Sequence, residues 1–280
     1  MANKSNKNSN QSFQKIPVPL ASLPAVLLPW YDREKRALPW RDIVTPYRTW
    51  VSEIMLQQTR VQAVLPYFER FMSAAPDVPA LAELAEDRLL SLWQGLGYYS
   101  RARSLQRSAR VMVDQYGGCL PDTYSDLIQL PGIGDYTAGA ILSIAFNKAI
   151  PAVDGNVRRI AARLTSCGDN VLDPRTRQRV RDALAAGMPT DRPGDFNQPM
   201  MDLGAAVCFP KNPNCESCPA ASLCAPKAAG LQSRLPVREK KPPKPETHHK
   251  VLLQTTTHRQ PTLRSPHATS PLYRNWRLTT

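Results

Sequence analysis

Four cysteines lie close together in the C-terminal third of the chain, separated by six, two and five residues: Cys208, Cys215, Cys218 and Cys224. Four thiolates so near one another can bind a single metal centre. A four-cysteine zinc site is one interpretation, and a cubane iron–sulfur cluster suits the single compact loop at least as well. Disulfides are disfavoured, because the chain has the character of a cytosolic protein. Cys119 and Cys167 are expected to be small buried residues.

Two carboxylates have surroundings that suit acid–base chemistry. Glu53 lies on a predicted helix among Val51, Ile54 and Met55, and burial there would raise its pKa and keep it protonated. Asp154 lies where a helix should begin, which is an ordinary capping position that also keeps a carboxylate ionised. Taken alone, Glu53 is also explained as a surface carboxylate, and Asp154 as an ordinary helix cap. Together, a neutral acid and an ionised carboxylate are the usual means of cleaving a glycosidic bond.

A glycine turn separates two predicted helices at Leu130-Pro-Gly-Ile-Gly134. Gly132 and Gly134 could expose successive backbone N–H groups at the start of the second helix, which binds a phosphate without a charged side chain. An ordinary helix–helix turn explains the motif equally well.

Charge and histidine content restrict the chemistry further. The net charge of the 280-residue chain is +13, but residues 231–280 carry ten Lys/Arg and two Asp/Glu, and residues 30–230 are left with 23 basic and 21 acidic residues. The high net charge is therefore weak evidence that the folded part binds nucleic acid. Residues 1–230 contain no histidine, which excludes a serine or cysteine triad with histidine, and histidine-ligated metals, from that part.

Helical periodicity dominates residues 40–206 and alternating strand patterns are scarce, so the predicted fold class is all-α. Thr45-Pro46 is a predicted N-cap and first helical residue. The predicted helices, apart from a first one near Leu20–Leu28, are 46–58, 61–72, 87–93, 100–115, 125–129 and 137–146.

These motifs in this order resemble the helix-hairpin-helix DNA glycosylases with an iron–sulfur cluster, and most closely the adenine-mismatch (MutY-type) members. The resemblance runs from about Leu20 to Pro226. It rests on the glycine turn, Asp154, the cysteine loop and five strings: Pro39-Trp-Arg41, Ser52-Glu-Ile-Met-Leu-Gln-Gln-Thr-Arg60, Trp93-Gln-Gly-Leu-Gly-Tyr-Tyr-Ser-Arg101, Val153-Asp-Gly-Asn156 and Asn197-Gln-Pro-Met-Met-Asp-Leu-Gly204.

The resemblance implies a fold with a six-helix barrel module, an iron–sulfur module and an active site between them. It implies that Glu53 protonates adenine and helps to activate water, and that Asp154 stabilises the sugar cation, with Asn156 nearby. Tyr136 matches the position where lyase relatives carry a lysine. We therefore expect hydrolysis that releases adenine and leaves an abasic site.

The resemblance also implies residues that contact DNA. Gln58 and Tyr98 match positions that insert into the duplex beside the mispair, an aromatic insertion that offsets the cost of unstacking a base. At least one of Tyr98 and Tyr99 is expected to pack in the core instead. The other expected DNA contacts are Leu96, Gly132, Gly134, Arg41 and Trp40. Arg41 and Trp40, like Asn156, match family positions that either line the pocket or contact the DNA backbone.

The implied organisation has four parts. Residues 1–19 are predicted to be disordered. Residues 20–40 and 150–226 form the predicted iron–sulfur module, with one 4Fe-4S cluster, and residues 41–149 the barrel module with the hairpin. Residues 227–280 are predicted to be a linker and basic low-complexity tail. They lack the strand pattern of the family's second, 8-oxoguanine-recognising domain, which suggests a truncated or out-of-frame end.

The predicted function is removal of adenine opposite 8-oxoguanine or guanine. The predicted partner is double-stranded DNA, bound by a monomer that is cytoplasmic and nucleoid-associated, with no secretion and no membrane. Two alternatives stay open. One is a glycosylase and lyase for oxidised pyrimidines, which Tyr136 disfavours. The other is a non-catalytic DNA-binding protein, against which the presence of both Glu53 and Asp154 argues.

Overall fold

The computed structural model describes residues 18–239, 252–256 and 259–264. The all-α prediction is confirmed for residues 18–239, where the α-helices are α1 Val18–Ala21, α2 Leu23–Glu34, α3 Pro39–Asp42, α4 Pro46–Leu56, α5 Val61–Ala74, α6 Val78–Glu83, α7 Glu86–Trp93, α8 Ser100–Tyr116, α9 Tyr124–Leu127, α10 Asp135–Ala145, α11 Gly155–Leu164, α12 Pro174–Gly187, α13 Pro193–Ala206 and α14 Ala225–Ala228.

Local capping chemistry sets several helix boundaries. Thr45 caps α4 as predicted, because its side chain accepts a hydrogen bond from the Arg48 N–H and Pro46 follows at the first helical position. Helix α8 ends at Gly117, which adopts the left-handed conformation (φ +60°) that glycine takes at little cost. The predicted helix to Gln58 instead stops at Leu56, because Gln58 has a φ of +58° that no α-helix contains.

Two large hydrophobic clusters hold the helices together. The first contains buried side chains between Leu38 and Leu142, with Trp50, Phe68 and Trp93 at its centre. The second joins α2 from the start of the chain to α11, α12 and α13. The N-terminal helix therefore packs on the C-terminal half of this fold, and residues 38–142 form the compact insertion between its two parts.

The chain divides after Glu239 into two units. The second contains an antiparallel hairpin of strands β1 (Leu252–Thr256) and β2 (Arg259–Arg264), with Leu253 opposite Leu263. This hairpin was not predicted from the sequence.

Of residues 1–19, which were predicted to be disordered, Val18 and Pro19 lie in α1, and residues 1–17 lie outside the described residues. Residues 227–239, which were predicted to be a linker, belong to the first unit, where the Val237 carbonyl oxygen accepts a hydrogen bond from the Val171 N–H. The predicted character of residues 240–251 and 265–280 also lies outside the described residues. None of the described helices has the length and apolar character to cross a bilayer.

Candidate active site

A cavity of about 170 Å³ lies between α4, α10, α11 and α13. A cavity of about 150 Å³ can hold a benzene ring, so this one admits an aromatic ring. Its lining includes the predicted catalytic residues and two of the predicted DNA contacts: Glu53, Tyr136, Asp154, Asn156, Trp40 and Arg41. The fold therefore brings together residues that lie up to 116 positions apart in the sequence, from Trp40 to Asn156.

Glu53 is a buried acid. It lies on α4 with 6% of its surface exposed. Burial raises its pKa to about 7 and Asp154 adds to the rise, while a hydrogen bond with Tyr136 and the charge of Arg41 oppose it. A carboxyl group with a pKa near neutrality can hold a proton and release it at physiological pH. The raised pKa expected from its apolar helix neighbours is present.

Tyr136 lies on α10 beside Glu53. Burial raises the pKa of its phenol well above the usual range, and Glu53 and Asp154 raise it further. Its hydroxyl also donates a hydrogen bond to Met201 Sδ at 3.6 Å. The phenol is therefore a neutral donor in this cavity, where it interacts with the carboxyl group of Glu53.

Asp154 caps α11. Its Oδ1 accepts a hydrogen bond from the Val157 N–H at 2.7 Å, as the capping interpretation predicted. Its surroundings act on its acidity in opposite directions. Burial raises the pKa of Asp154, and this outweighs the opposing effects of backbone N–H groups at Val157 and Asn156 and of Arg159 and Arg158. The low dielectric of the cavity wall opposes ionisation more than the helix terminus favours it.

Asn156 is the second residue of α11, and its orientation is fixed from two sides. Its Oδ1 accepts a hydrogen bond from Arg159 Nη1 at 2.9 Å. Gly204 of α13 packs directly against it, and a Cβ atom at Gly204 would lie 2.5 Å from the Asn156 Cβ. Helices α11 and α13 can therefore approach closely enough to close this side of the cavity.

Arg41 and Trp40 form part of the cavity wall. Arg41 donates hydrogen bonds to both carboxylate oxygens of Asp202, at 2.8 and 3.1 Å. Trp40 is 7% exposed and stacks edge-on against Phe68. Of the two roles that the resemblance implies, these contacts favour the pocket. The guanidinium is engaged by a buried carboxylate and the ring is packed in the core, so neither is presented to a duplex. We assign both residues to the wall of the pocket.

Two residues of the cavity surroundings received no role from the sequence. Asp202 also accepts hydrogen bonds from Arg36, so one buried carboxylate holds two arginines. Asn197 accepts a hydrogen bond from the Ala152 N–H and donates to the Ile150 carbonyl oxygen, which fixes the segment leading to Asp154. Both lie in Asn197–Gly204, a string that supported the family resemblance and could have indicated them.

The predicted DNA-inserting residues lie on two loops outside the cavity. Gln58 and Tyr98 are exposed, Tyr98 by 62%, and both have positive φ angles (58° and 48°). Tyr99 is 39% exposed, so the expectation that one of these tyrosines packs in the core is wrong. Leu96 is 7% exposed and belongs to the first hydrophobic cluster, so packing accounts for it and we remove it from the DNA-contacting set.

The glycine turn forms the predicted hairpin between α9 and α10. Gly132 (φ +84°) and Gly134 are exposed while Ile133 is buried. Gly132 approaches α8 so closely that a Cβ would lie 2.9 Å from the Ser104 Cβ. No side chain caps the start of α10, so its first N–H groups are available to an anion.

The four loop cysteines line one cavity together with Arg163 and apolar side chains of α11 and α13. Within the described residues, no three Cys, His, Asp or Glu side chains are arranged to hold a single metal ion. Arg163 donates to Cys208 Sγ at 3.2 Å and to the Phe209 carbonyl oxygen at 2.7 Å. Cys167 is buried as expected, whereas Cys119 is exposed, contrary to expectation.

Comparison with known proteins supports the same family. The model of the HhH-GPD superfamily base excision DNA repair proteins matches residues 51–186. The chain is 45% identical to the adenine DNA glycosylase of Mus musculus over 207 residues, which cover 71% of this chain and 40% of that protein. It is 39% identical to the adenine DNA glycosylase of Buchnera aphidicola from Acyrthosiphon pisum over 222 residues, covering 79% and 63% respectively. The chain thus spans about 40% of the length of its mammalian relatives.

Solved structures agree on the fold. A thermostable thymine-DNA glycosylase aligns with a TM-score of 0.69 and 26% identity, covering 76% of this chain and 98% of that one. An endonuclease III trapped with DNA aligns with a TM-score of 0.63 and 24% identity, covering 78% and 98%. The predicted helix-hairpin-helix glycosylase fold is confirmed.

Proposed function

Because this chain belongs to the HhH-GPD superfamily of base excision DNA repair proteins, we propose that it is a monofunctional DNA glycosylase that hydrolytically removes adenine opposite 8-oxoguanine or guanine. The choice of adenine follows its similarity to proteins named adenine DNA glycosylase. The observation that carries the proposal is the buried Glu53, with a pKa of about 7, in one cavity with Asp154.

The chemistry assigns different tasks to the two carboxyl groups. Glu53 donates its proton to the adenine ring as the bond between the sugar carbon and the base nitrogen breaks, and the bonding electrons leave with the base. The sugar becomes cationic, and Asp154 stabilises that charge. Water then adds to the sugar carbon and returns a proton to Glu53. Tyr136, Asn156 and Arg41 orient the acid and shape the pocket.

The absence of a lysine from the described lining of this cavity supports hydrolysis without strand cleavage. A lyase needs an amine nucleophile that attacks the sugar carbon and forms a Schiff base. Tyr136 contributes a phenol with a strongly raised pKa, which stays protonated and is a poor nucleophile. This favours the monofunctional reaction over the glycosylase and lyase alternative.

We propose that DNA is bound by the hairpin and by the two exposed loops. The N–H groups around Gly132 and Gly134 are suited to a backbone phosphate. Gln58 and Tyr98 are suited to insertion into the base stack while adenine leaves the duplex for the cavity. We further propose that the protein acts on double-stranded DNA as a monomer in the nucleoid-containing cytoplasm, since one chain supplies every residue named.

We propose that Cys208, Cys215, Cys218 and Cys224 ligate one 4Fe-4S cluster. Four thiols that line one cavity fit this group. Their single compact loop suits a cubane cluster, and a four-cysteine zinc site is the alternative that metal analysis would distinguish. The cluster would supply a structural cross-link of the loop. We identify the second hydrophobic cluster with the iron–sulfur module and the first with the barrel module.

A gel assay tests the proposed function directly. Duplexes carry adenine opposite each of the four bases and opposite 8-oxoguanine, and each reaction is divided into samples with and without alkali. We expect strand breaks only after alkali, and only for adenine opposite guanine or 8-oxoguanine. Breaks without alkali would indicate lyase activity, and binding without any breaks would identify a non-catalytic DNA-binding protein.

A further inference from the structure

Arg101 is a buried arginine outside the candidate active site. It lies in the first turn of α8, is 9% exposed, and has no carboxylate partner among the described residues. Burial lowers its pKa, while Tyr98 opposes that shift. A buried charge without a counterion needs several hydrogen bonds to offset its lost hydration.

Those hydrogen bonds go to two loops at once. Arg101 Nη1 donates to the carbonyl oxygens of Ile54, Met55 and Gln57 at 2.9, 3.0 and 2.6 Å. Its Nη2 donates to the carbonyl oxygens of Leu96 and Gly97 at 3.1 and 3.2 Å. One guanidinium thus joins the end of α4 to the loop that follows α7.

The two loops have the same conformation at the contact. Gln57 and Gly97, whose carbonyl oxygens Arg101 holds, immediately precede Gln58 and Tyr98, whose φ angles are 58° and 48°. A positive φ is unfavourable for a residue with a side chain and persists only where neighbouring structure fixes it. The φ angle of a residue depends on the orientation of the peptide group before it. By holding the carbonyl oxygens of Gln57 and Gly97, Arg101 therefore restrains the φ angles of Gln58 and Tyr98.

Further contacts fix the second loop around the same guanidinium. Arg101 lies over the rings of Trp93 and Tyr98, at 5.4 and 5.6 Å from their centroids. Trp93 Nε1 donates to the same Gly97 carbonyl oxygen at 3.1 Å. The Tyr98 ring therefore contacts a cation on one side while 62% of its surface stays exposed to a partner.

We propose that Arg101 is a positioning residue that fixes Gln58 and Tyr98 in the conformation in which both insert into the DNA duplex. This rests on the proposed function, in which the two side chains replace the stacking of the extruded base. Holding both loops before DNA arrives removes the ordering cost from the binding step. Arg101 itself touches neither the base nor the sugar in this scheme.

The test compares Arg101→Lys with Arg103→Lys, a substitution on the same helix at an exposed arginine that pairs with Glu86. Lysine keeps the positive charge, but its single ammonium group cannot donate hydrogen bonds to both loops at once as the planar guanidinium does. Single-turnover adenine release is measured on a duplex with an A·G mispair and on one with adenine in an unpaired bubble. A 2-aminopurine beside the target reports unstacking, and thermal melting reports folding.

We expect Arg101→Lys to slow release and unstacking in the mispaired duplex by roughly ten-fold or more, with near-parental rates in the bubble, where no insertion is needed. Arg103→Lys should match the parent in both. Equal loss in both substrates would contradict the proposal, as would no loss in either. If the parent releases no adenine, the proposed function fails, while the 2-aminopurine signal still tests the positioning role.

Trp93→Phe provides a second variant in case Arg101→Lys does not fold. It keeps Arg101 and removes the indole N–H that also holds the Gly97 carbonyl. We expect the rate of adenine release to fall less than in Arg101→Lys, and only in the mispaired duplex. A rate loss that is the same in the bubble would overturn the positioning role.

Discussion

Glu53 and Asp154 line the same cavity, and the pKa of Glu53 is raised to about 7, first by burial and then by the charge of Asp154. The second carboxylate thus helps to keep the proton on the first. Because the pKa of Asp154 is itself raised by burial, both groups are costly to ionise in the folded protein.

Glu53 should make stability depend on pH. Its pKa is about 7 in the folded protein against 4.5 ordinarily, so the folded state retains a proton that the unfolded chain has lost, and stability falls as pH rises through this window. At about 1.4 kcal/mol per pH unit, the loss of unfolding free energy is on the order of 3 kcal/mol.

Urea unfolding should show Glu53→Gln to be more stable than the parent at pH 8, with little gain in stability at pH 4. Glu69→Gln, at an exposed position, is the control, and an equal change in both variants would contradict the assignment.

Asp154→Asn should slow adenine release by ~10²-fold or more, because it removes the charge that stabilises the sugar cation. Asparagine caps a helix as well as aspartate does, so the melting temperature should change little even though the Val157 N–H loses its charged acceptor. Asp173→Asn changes the cap of α12 in the same way outside the cavity and should keep parental activity. A rate for Asp154→Asn within a few-fold of the parent would argue against the electrostatic role.

Cys218→Ser should lose the yellow-brown colour of an iron–sulfur protein together with solubility, because the folded loop depends on its bound group. Cys119→Ser, at an exposed cysteine outside the loop, should retain both. Metal analysis of protein purified without oxygen is the deciding measurement. Stoichiometric zinc in a colourless parent protein would show that the site is a zinc site.

Asp202→Asn should destabilise the fold and impair activity together. The buried carboxylate pairs with Arg41 and Arg36, and removing its charge leaves the largely buried Arg41 uncompensated in the cavity wall. Breaking a buried pair in this way costs about 3 kcal/mol or more. Thermal melting should show a clear decrease, whereas Asp182→Asn, on the exposed surface of α12, should melt like the parent. Unchanged melting of Asp202→Asn would mean that the ion pair adds nothing to stability.

The sequence was most informative where a local rule decides the structure. The Thr45 cap, the start of α11 at Asp154 and the glycine hairpin follow from neighbouring residues alone. The buried position of Leu96 and the ion pair of Arg41 with Asp202 depend on segments far apart in the chain. No periodicity encodes those contacts. Asp154 shows the same limit, because its helix position was predictable while the burial that governs its pKa was not.

The most direct test of the account is single-turnover adenine release by Glu53→Gln, measured beside its binding to the same A·G duplex. Glutamine keeps the shape of the side chain and its capacity for hydrogen bonds, but it cannot deliver a proton. The account predicts binding close to that of the parent with no detectable adenine release. Release at a near-parental rate by a variant that still binds would show that Glu53 is not the acid and that the proposed mechanism is wrong.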